Sequence, residues 1–168
     1  MGTVHPIKLA LDYGCGPRSM AYCRARGYRV VGVELAPKPT SKPMAVYDGR
    51  NLPFKDNTFD WIYSQQVIEH VQDLDRYFSE ARRVLCPGGE LLAEFPTRLM
   101  PYDRHKRAWF KHWFQVPKEP WFCFRWPWTI RRIAKRYFSV ENRTRERLMR
   151  TGNRFWPTWL FNQTWVMS

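Results

Sequence analysis

The 168-residue sequence predicts an α/β fold built on an open, mostly parallel β-sheet. Three observations carry that prediction. Short apolar runs at 8–13, 29–33, 44–47, 59–63 and 89–95 lack strict alternation, as expected of strands covered on both faces. Segments that can form helices lie between some of these runs. The first strand tip leads from Asp12 into Gly14-x-Gly16, and the second ends in Glu34.

Taken in order, 8–13 is the first strand and 18–27 a short helix. Tyr28-Arg-Val-Val-Gly-Val is the second strand. Pro37, Pro39 and Pro43 then fall within seven residues, which no normal helix tolerates, so the crossover after the second strand is expected as an extended loop. Met44–Tyr47 is a third strand closed by Asp48, and Phe59–Tyr63 a fourth. Gln65–Val71 is expected as a helix. Residues 73–86 form a clearer one, with Leu74, Tyr77, Phe78, Ala81, Val84 and Leu85 on one face. Asp73 is its predicted N-cap, and Pro87-Gly88-Gly89 stops it. Residues 89–95 are the fifth strand.

The pattern weakens after Phe95. His105–Phe114 could be a short helix with Trp109, Phe110, Trp113 and Phe114 on one face, and Trp128–Phe138 another with Ile130, Ile133, Ala134 and Tyr137 inward. Phe138–Asn142 and Phe161–Met167 are expected as closing antiparallel strands.

A glycine turn followed by an acid at the next strand tip is how open α/β sheets hold a nucleoside-containing cofactor. Glycine lets the backbone approach the ligand, and the carboxylate accepts from ribose hydroxyls. The dinucleotide fingerprint wants Gly or Ala at its last position, where this chain has Ser19. Further motifs follow in order: Val30-Val-Gly-Val-Glu34, Asp48 with Leu52-Pro-Phe54 and Phe59-Asp60, Ile68-Glu-His-Val71, and Arg83-Val-Leu-Cys-Pro-Gly-Gly89. With Leu11-Asp-Tyr-Gly-Cys-Gly16, they make residues 7–96 closely resemble the class I S-adenosylmethionine-dependent methyltransferases, and among these the type 11 group.

That resemblance implies a Rossmann-like, seven-stranded methyltransferase sheet with an antiparallel closing strand, in a minimal version whose helix after strand 2 is reduced or lost. It implies one domain over 1–168, with 7–96 as cofactor-binding core and 97–168 as a basic, aromatic substrate-side or lid segment. S-adenosylmethionine is the implied cofactor and S-adenosylhomocysteine the product. Gly14 and Gly16 would let the backbone approach its methionine end, and Asp12 would lie near its amino group. Glu34 would hold the ribose hydroxyls, Asp48 would accept from the adenine amino group, and Leu35 would pack on adenine. Gly49 would offer a backbone donor and Gln65 a carbonyl. Arg18 departs from the third glycine common in this loop; it could pair with the cofactor carboxylate or point to solvent.

Methyl transfer from a sulfonium needs alignment and exclusion of water more than a catalytic dyad. His70, just past the fourth strand, is the candidate base or substrate ligand. Related type 11 proteins can carry a Pro…His…Phe-x-His-Trp stretch, so His105 is a second catalytic candidate and Trp109, His112 and Trp113 substrate-side ones. Tyr13 could line the same site. The acceptor stays open, with a small molecule or lipid-linked compound favoured. An RNA-directed enzyme, or a non-catalytic cofactor- or nucleic-acid-binding protein on the same fold, is the alternative.

Charge is divided unevenly. Residues 1–96 hold 12 Lys+Arg against 11 Asp+Glu, whereas 97–168 hold 16 against 4 and eight of the nine tryptophans. The front is near neutral, and the back suits the acceptor, an anionic membrane surface or nucleic acid. Cys15, Cys23, Cys86 and Cys123 lack zinc spacing, so no metal is expected. With no signal peptide evident and no long apolar run, the expected location is cytoplasmic or peripheral to a membrane.

Overall fold

A computed structural model describes residues 8–36, 43–97, 125–144, 146 and 162–168, and the backbone alone at 102–103 and 108–109. The elements are β1 (Leu9–Tyr13), α1 (Pro17–Arg24), β2 (Arg29–Glu34), β3 (Met44–Val46), β4 (Phe59–Gln65), α2 (Leu74–Val84) and β5 (Leu85–Pro96). They continue with β6 (Tyr102–Asp103), β7 (Ala108–Trp109), α3 (Pro127–Ala134), β8 (Val140–Asn142) and β9 (Asn162–Met167). Seven strands form one sheet in the order β3-β2-β1-β4-β5-β9-β8. Pairing is parallel from β3 through β5, and β9 runs antiparallel between β5 and β8. The strand order therefore turns at β1 and β4, where open α/β sheets leave a crevice beyond the carboxyl ends of the strands.

Alternate residues of the strands feed two cores. On one face Leu11, Tyr13, Ile62, Leu91 and Phe95 pack beneath α2 and α3 with Leu74, Phe78, Ile130 and Phe138. On the other, Ala10, Val30, Trp61 and Tyr63 meet Met20 and Cys23 of α1. An aromatic stack extends that thinner cover: Tyr28 lies 5.0 Å from Trp61, Trp61 5.7 Å from Tyr63, and Tyr22 4.7 Å from Tyr63.

The helix at 73–86 forms as Leu74–Val84, and the Asp73 carboxylate accepts from the Arg76 amide at 2.9 Å as its N-cap. Three expectations need correction. Gln65–Val71 is not a helix: Gln66 has φ +56°, only Ile68–His70 makes a 3₁₀ turn, and Val71 is extended. The fifth strand starts earlier than 89, because Leu85 already pairs with Phe59, and the Pro-Gly-Gly turn is an irregularity inside the pairing. Ala108–Trp109 is strand paired with Tyr102–Asp103, not part of a helix over 105–114; aromatic residues favour strands as readily as an amphipathic helix.

Between β2 and β3, Leu35 and Ala36 form a bend, and 37–42 lie outside the described residues. Nine residues separate these parallel neighbours, fewer than the dozen or more a crossover helix needs. The expected helix at 128–138 is shorter, Pro127–Ala134, with Ile130 and Ala134 buried. Among the described residues no helix is long and apolar enough to cross a membrane.

Candidate active site

A cleft of about 1560 Å³ opens at the carboxyl ends of the central strands. The turn after β1 forms one wall. Gly14 has φ +80°, and a Cβ there would stand 2.3 Å from Cγ2 of Val67, so only glycine fits between β1 and the segment after β4. The amides of Gly14 and Cys15 donate to the Val33 carbonyl at 2.9 and 3.1 Å, which ties this turn to β2. Beneath it the Ser19 hydroxyl donates to the Asp12 carboxylate at 2.6 Å and accepts from the Gly16 amide at 2.9 Å. The residue that breaks the dinucleotide pattern thus staples the loop to its own strand.

Asp12 sits beneath the same turn. It is fully buried and is not on the cleft wall. Burial, helped by the nearby Asp12 carboxylate, pushes the Cys23 thiol up to about 12, which places Asp12 toward α1. Its structural work is to hold the glycine turn.

Glu34 and Leu35 line the opposite wall, where β2 ends. One Glu34 carboxylate oxygen accepts from the Leu35 amide at 2.9 Å. Leu35 is 60% exposed, an apolar side chain presented to the cleft. Asp48, Gly49 and Arg50 follow. Asp48 Oδ1 accepts from the amides of Arg50 and Asn51, both at 2.7 Å, and Oδ2 accepts from the Asn51 side chain at 3.2 Å. These donors hold its carboxyl below the usual carboxylate range. Asp48 therefore caps its own turn, and Oδ2 keeps acceptor capacity for a ligand.

Helix α2 braces this turn. The Arg76 guanidinium donates to the Arg50 carbonyl at 3.2 Å and to the Asn51 side-chain oxygen. Arg83 donates to Glu80, to Asp56, and to the carbonyls of Leu52 and Phe54, while Glu80 accepts from the Leu52 amide at 2.8 Å. The Leu-Pro-Phe loop is thereby clamped to α2, and Arg83 holds the Glu80 carboxyl low.

Gln65, Gln66, Val67 and the exposed His70 line the third wall. The Gln65 side chain donates to Glu94 at 3.2 Å, and the Gln66 amide to the Glu94 carbonyl at 2.7 Å. Gln66 with φ +56° is a strained position at the cleft, and no sequence pattern signalled it.

The floor is aromatic. Tyr13 stacks on Tyr77 at 4.7 Å and meets Tyr47 edge-on at 5.8 Å. Tyr77 donates to the Ser64 hydroxyl at 2.7 Å. Burial, with Tyr47 and Tyr77 alongside, pushes the Tyr13 phenol far above its usual range, so it stays neutral. Tyr47 and Tyr77 were not singled out from the sequence because they come from unrelated segments.

The cleft thus brings together Tyr13, Gly14, Gly16, Arg18, Glu34, Leu35, Asp48, Gly49, Gln65 and His70. Arg18 is exposed. His105, His112 and Trp113 lie outside the described residues, and only the backbone of Trp109 is described. No metal-binding group occurs among the described residues.

Residues 11–93 match the family model described as "Methyltransferase domain". A demethylmenaquinone methyltransferase of Corynebacterium urealyticum is 39% identical over 84 residues, 49% of this chain and 36% of that protein. A norajmaline N-methyltransferase of Rauvolfia serpentina is 31% identical over 101 residues, 51% of this chain and 35% of that one. The chain thus spans little more than a third of the length of these curated relatives. Phosphoethanolamine N-methyltransferase 2 of Haemonchus contortus, solved with S-adenosyl-L-methionine, shares the fold. It has a TM-score of 0.66 and 22% identity, over 99% of this chain and 49% of that one. Just under half of the chain, residues 11–93, is thus similar to the methyltransferase domain family.

Proposed function

We propose that this chain is an S-adenosylmethionine-dependent methyltransferase, with the cofactor in the cleft between β1 and β3. One observation carries the reading: Glu34 and Asp48, at neighbouring strand tips, flank the exposed Leu35 across the cleft from the turn of Gly14 and Gly16. The residues fit the group. Two carboxylates match hydroxyl and amino donors, Leu35 supplies an apolar face for a purine, and Gly16, where an added Cβ would meet only the Ser19 hydroxyl at 3.8 Å, leaves the backbone open to close approach. The cofactor supplies an activated methyl group on a sulfonium with a good leaving group.

The chain's own residues do the rest. Glu34 accepts from the ribose hydroxyls, and Asp48 from the adenine amino group while it keeps its turn closed. Gln65 and the glycine turn receive the methionine end, and Arg18 pairs with its carboxylate. Tyr13, Tyr47 and Tyr77 form a dry floor that keeps water from the methyl group. His70 takes the proton when the acceptor is a hydroxyl or an ammonium. The strands after residue 96 complete the same sheet, which supports 1–168 as one domain. A small molecule or lipid-linked compound is the favoured acceptor, in keeping with the quinone and alkaloid methyltransferases among the relatives.

A crystal structure with S-adenosylhomocysteine tests the placement. Ribose hydroxyls within hydrogen-bond distance of Glu34 are expected, and a nucleoside bound away from Glu34 and Asp48 contradicts it.

A further inference from the structure

We propose that the outward face of α3 docks this protein on an anionic lipid surface, with the cleft mouth held beside the bilayer. Trp128, Arg131, Arg132 and Lys135 follow one another at helical spacing, so they share one face, and all are exposed. Trp128 is 60% exposed and stacks on Trp126, with ring centroids 4.8 Å apart and planes 9° apart. Arg131, Arg132 and Lys135 make no ion pair among the described residues. On the opposite side, Ile130 and Ala134 are buried against the core. The helix is thus secured from behind, and its solvent face offers indole and exposed cations together.

Its position relative to the cleft is fixed at both ends. Arg125 donates to the carbonyls of Val71 and Gln72, both at 2.7 Å, and those two residues line the cleft. At the other end Arg136 pairs with Asp75 of α2 at 2.9 Å. The tryptophan pair therefore emerges next to the cleft rim.

A lipid surface suits this face better than a nucleic acid does. Indole rings settle at the boundary between headgroups and chains, and nearby Lys and Arg are drawn to anionic lipid. The stripe lies on the convex surface of a helix, which meets a plane, whereas single-stranded nucleic acid is tracked by a basic groove with open ring faces. Here one face of each indole is already taken by the other. If the cleft transfers methyl groups as proposed above, a lipophilic acceptor drawn from the bilayer is the substrate class that this placement serves; the docking itself does not depend on that reading.

The test is co-sedimentation of the full chain with vesicles of phosphatidylcholine alone and of equal parts phosphatidylcholine and phosphatidylglycerol. A single-stranded oligouridine serves as competitor. Binding to the anionic vesicles is expected, falling as salt rises. Each cation near the surface is worth about fivefold, so the triple variant Arg131→Gln/Arg132→Gln/Lys135→Gln should weaken partitioning at least tenfold, and Trp128→Ala measurably. Far-ultraviolet circular dichroism and S-adenosylmethionine affinity should be unchanged in both. Parent protein that ignores anionic vesicles overturns the proposal, as do variants that partition like the parent. Oligouridine bound more tightly than vesicles, through the same residues, assigns the face to RNA and also overturns it. Vesicle binding by a parent that takes no cofactor upholds the docking face and removes the methyltransferase reading.

Discussion

The Ser19 hydroxyl donates to the buried Asp12 carboxylate at 2.6 Å and accepts from the Gly16 amide, so a single side chain ties β1, the glycine turn and α1 together. Ser19→Ala removes the donor from a fully buried carboxylate, and stability should fall by about 1–3 kcal/mol. Urea denaturation of the two proteins measures the difference. Unchanged midpoints would mean that the staple carries no load.

Gly14→Ala should be harmful on two counts, a left-handed φ and a clash with Val67. A loss of roughly 1–3 kcal/mol is expected. In the double variant with Val67→Ala, part of the loss should return, because the clash is relieved and the backbone strain is not. Thermal unfolding of the four combinations gives the coupling, and strict additivity speaks against the close approach.

Glu69 is 1% exposed, neither carboxyl oxygen finds a hydrogen-bond partner among the described residues, and burial pushes its carboxyl up to about 8 from an ordinary 4.5. The folded protein therefore keeps a proton that the unfolded chain has released. Its contribution is intact below about pH 4.5 and drains away as pH rises toward about 8, with a limiting slope near 1.4 kcal/mol per pH unit. Glu69→Gln abolishes that slope, so the variant should gain on the parent between weakly acidic and weakly alkaline pH. Parallel stability curves would contradict the buried, proton-bearing state.

Arg83 bridges Glu80, Asp56 and two carbonyls of the 52–56 loop. Arg83→Leu leaves Glu80 with the Leu52 amide and a looser ion pair to Arg76 at 3.9 Å. Because the arginine is 31% exposed, the loss is held to about 1–3 kcal/mol rather than that of a fully buried pair. Chemical denaturation checks it. Cofactor affinity should fall as well, since the loop that follows Asp48 loses its clamp.

Much of this fold was legible in the chain. Apolar runs located β1 to β5, and spacing with an Asp73 cap located α2, because burial on both faces and a one-sided helix leave different periods. The segment at 65–71 misled because Val67, Ile68 and Val71 imitate a helical stripe, while the strained Gln66 breaks the backbone without any glycine to announce it. Glycine and acid motifs marked the cleft walls at Gly14, Glu34 and Asp48. Of the tyrosine floor only Tyr13 was marked, since Tyr47 and Tyr77 join it only after the sheet has formed. Strand-tip position alone does not tell which side of the turn a carboxylate such as Asp12 faces.

Calorimetric titration with S-adenosylmethionine and S-adenosylhomocysteine, with NAD as control, tests the central claim most directly. Asp48→Asn is the informative variant: its side-chain oxygen still caps the turn, while its amide faces the adenine amino group with a donor. Binding of the first two ligands alone is predicted, weakened by about 1–3 kcal/mol in Asp48→Asn and in Glu34→Ala. Binding of NAD instead, or affinity for S-adenosylmethionine that ignores both substitutions, would contradict the account.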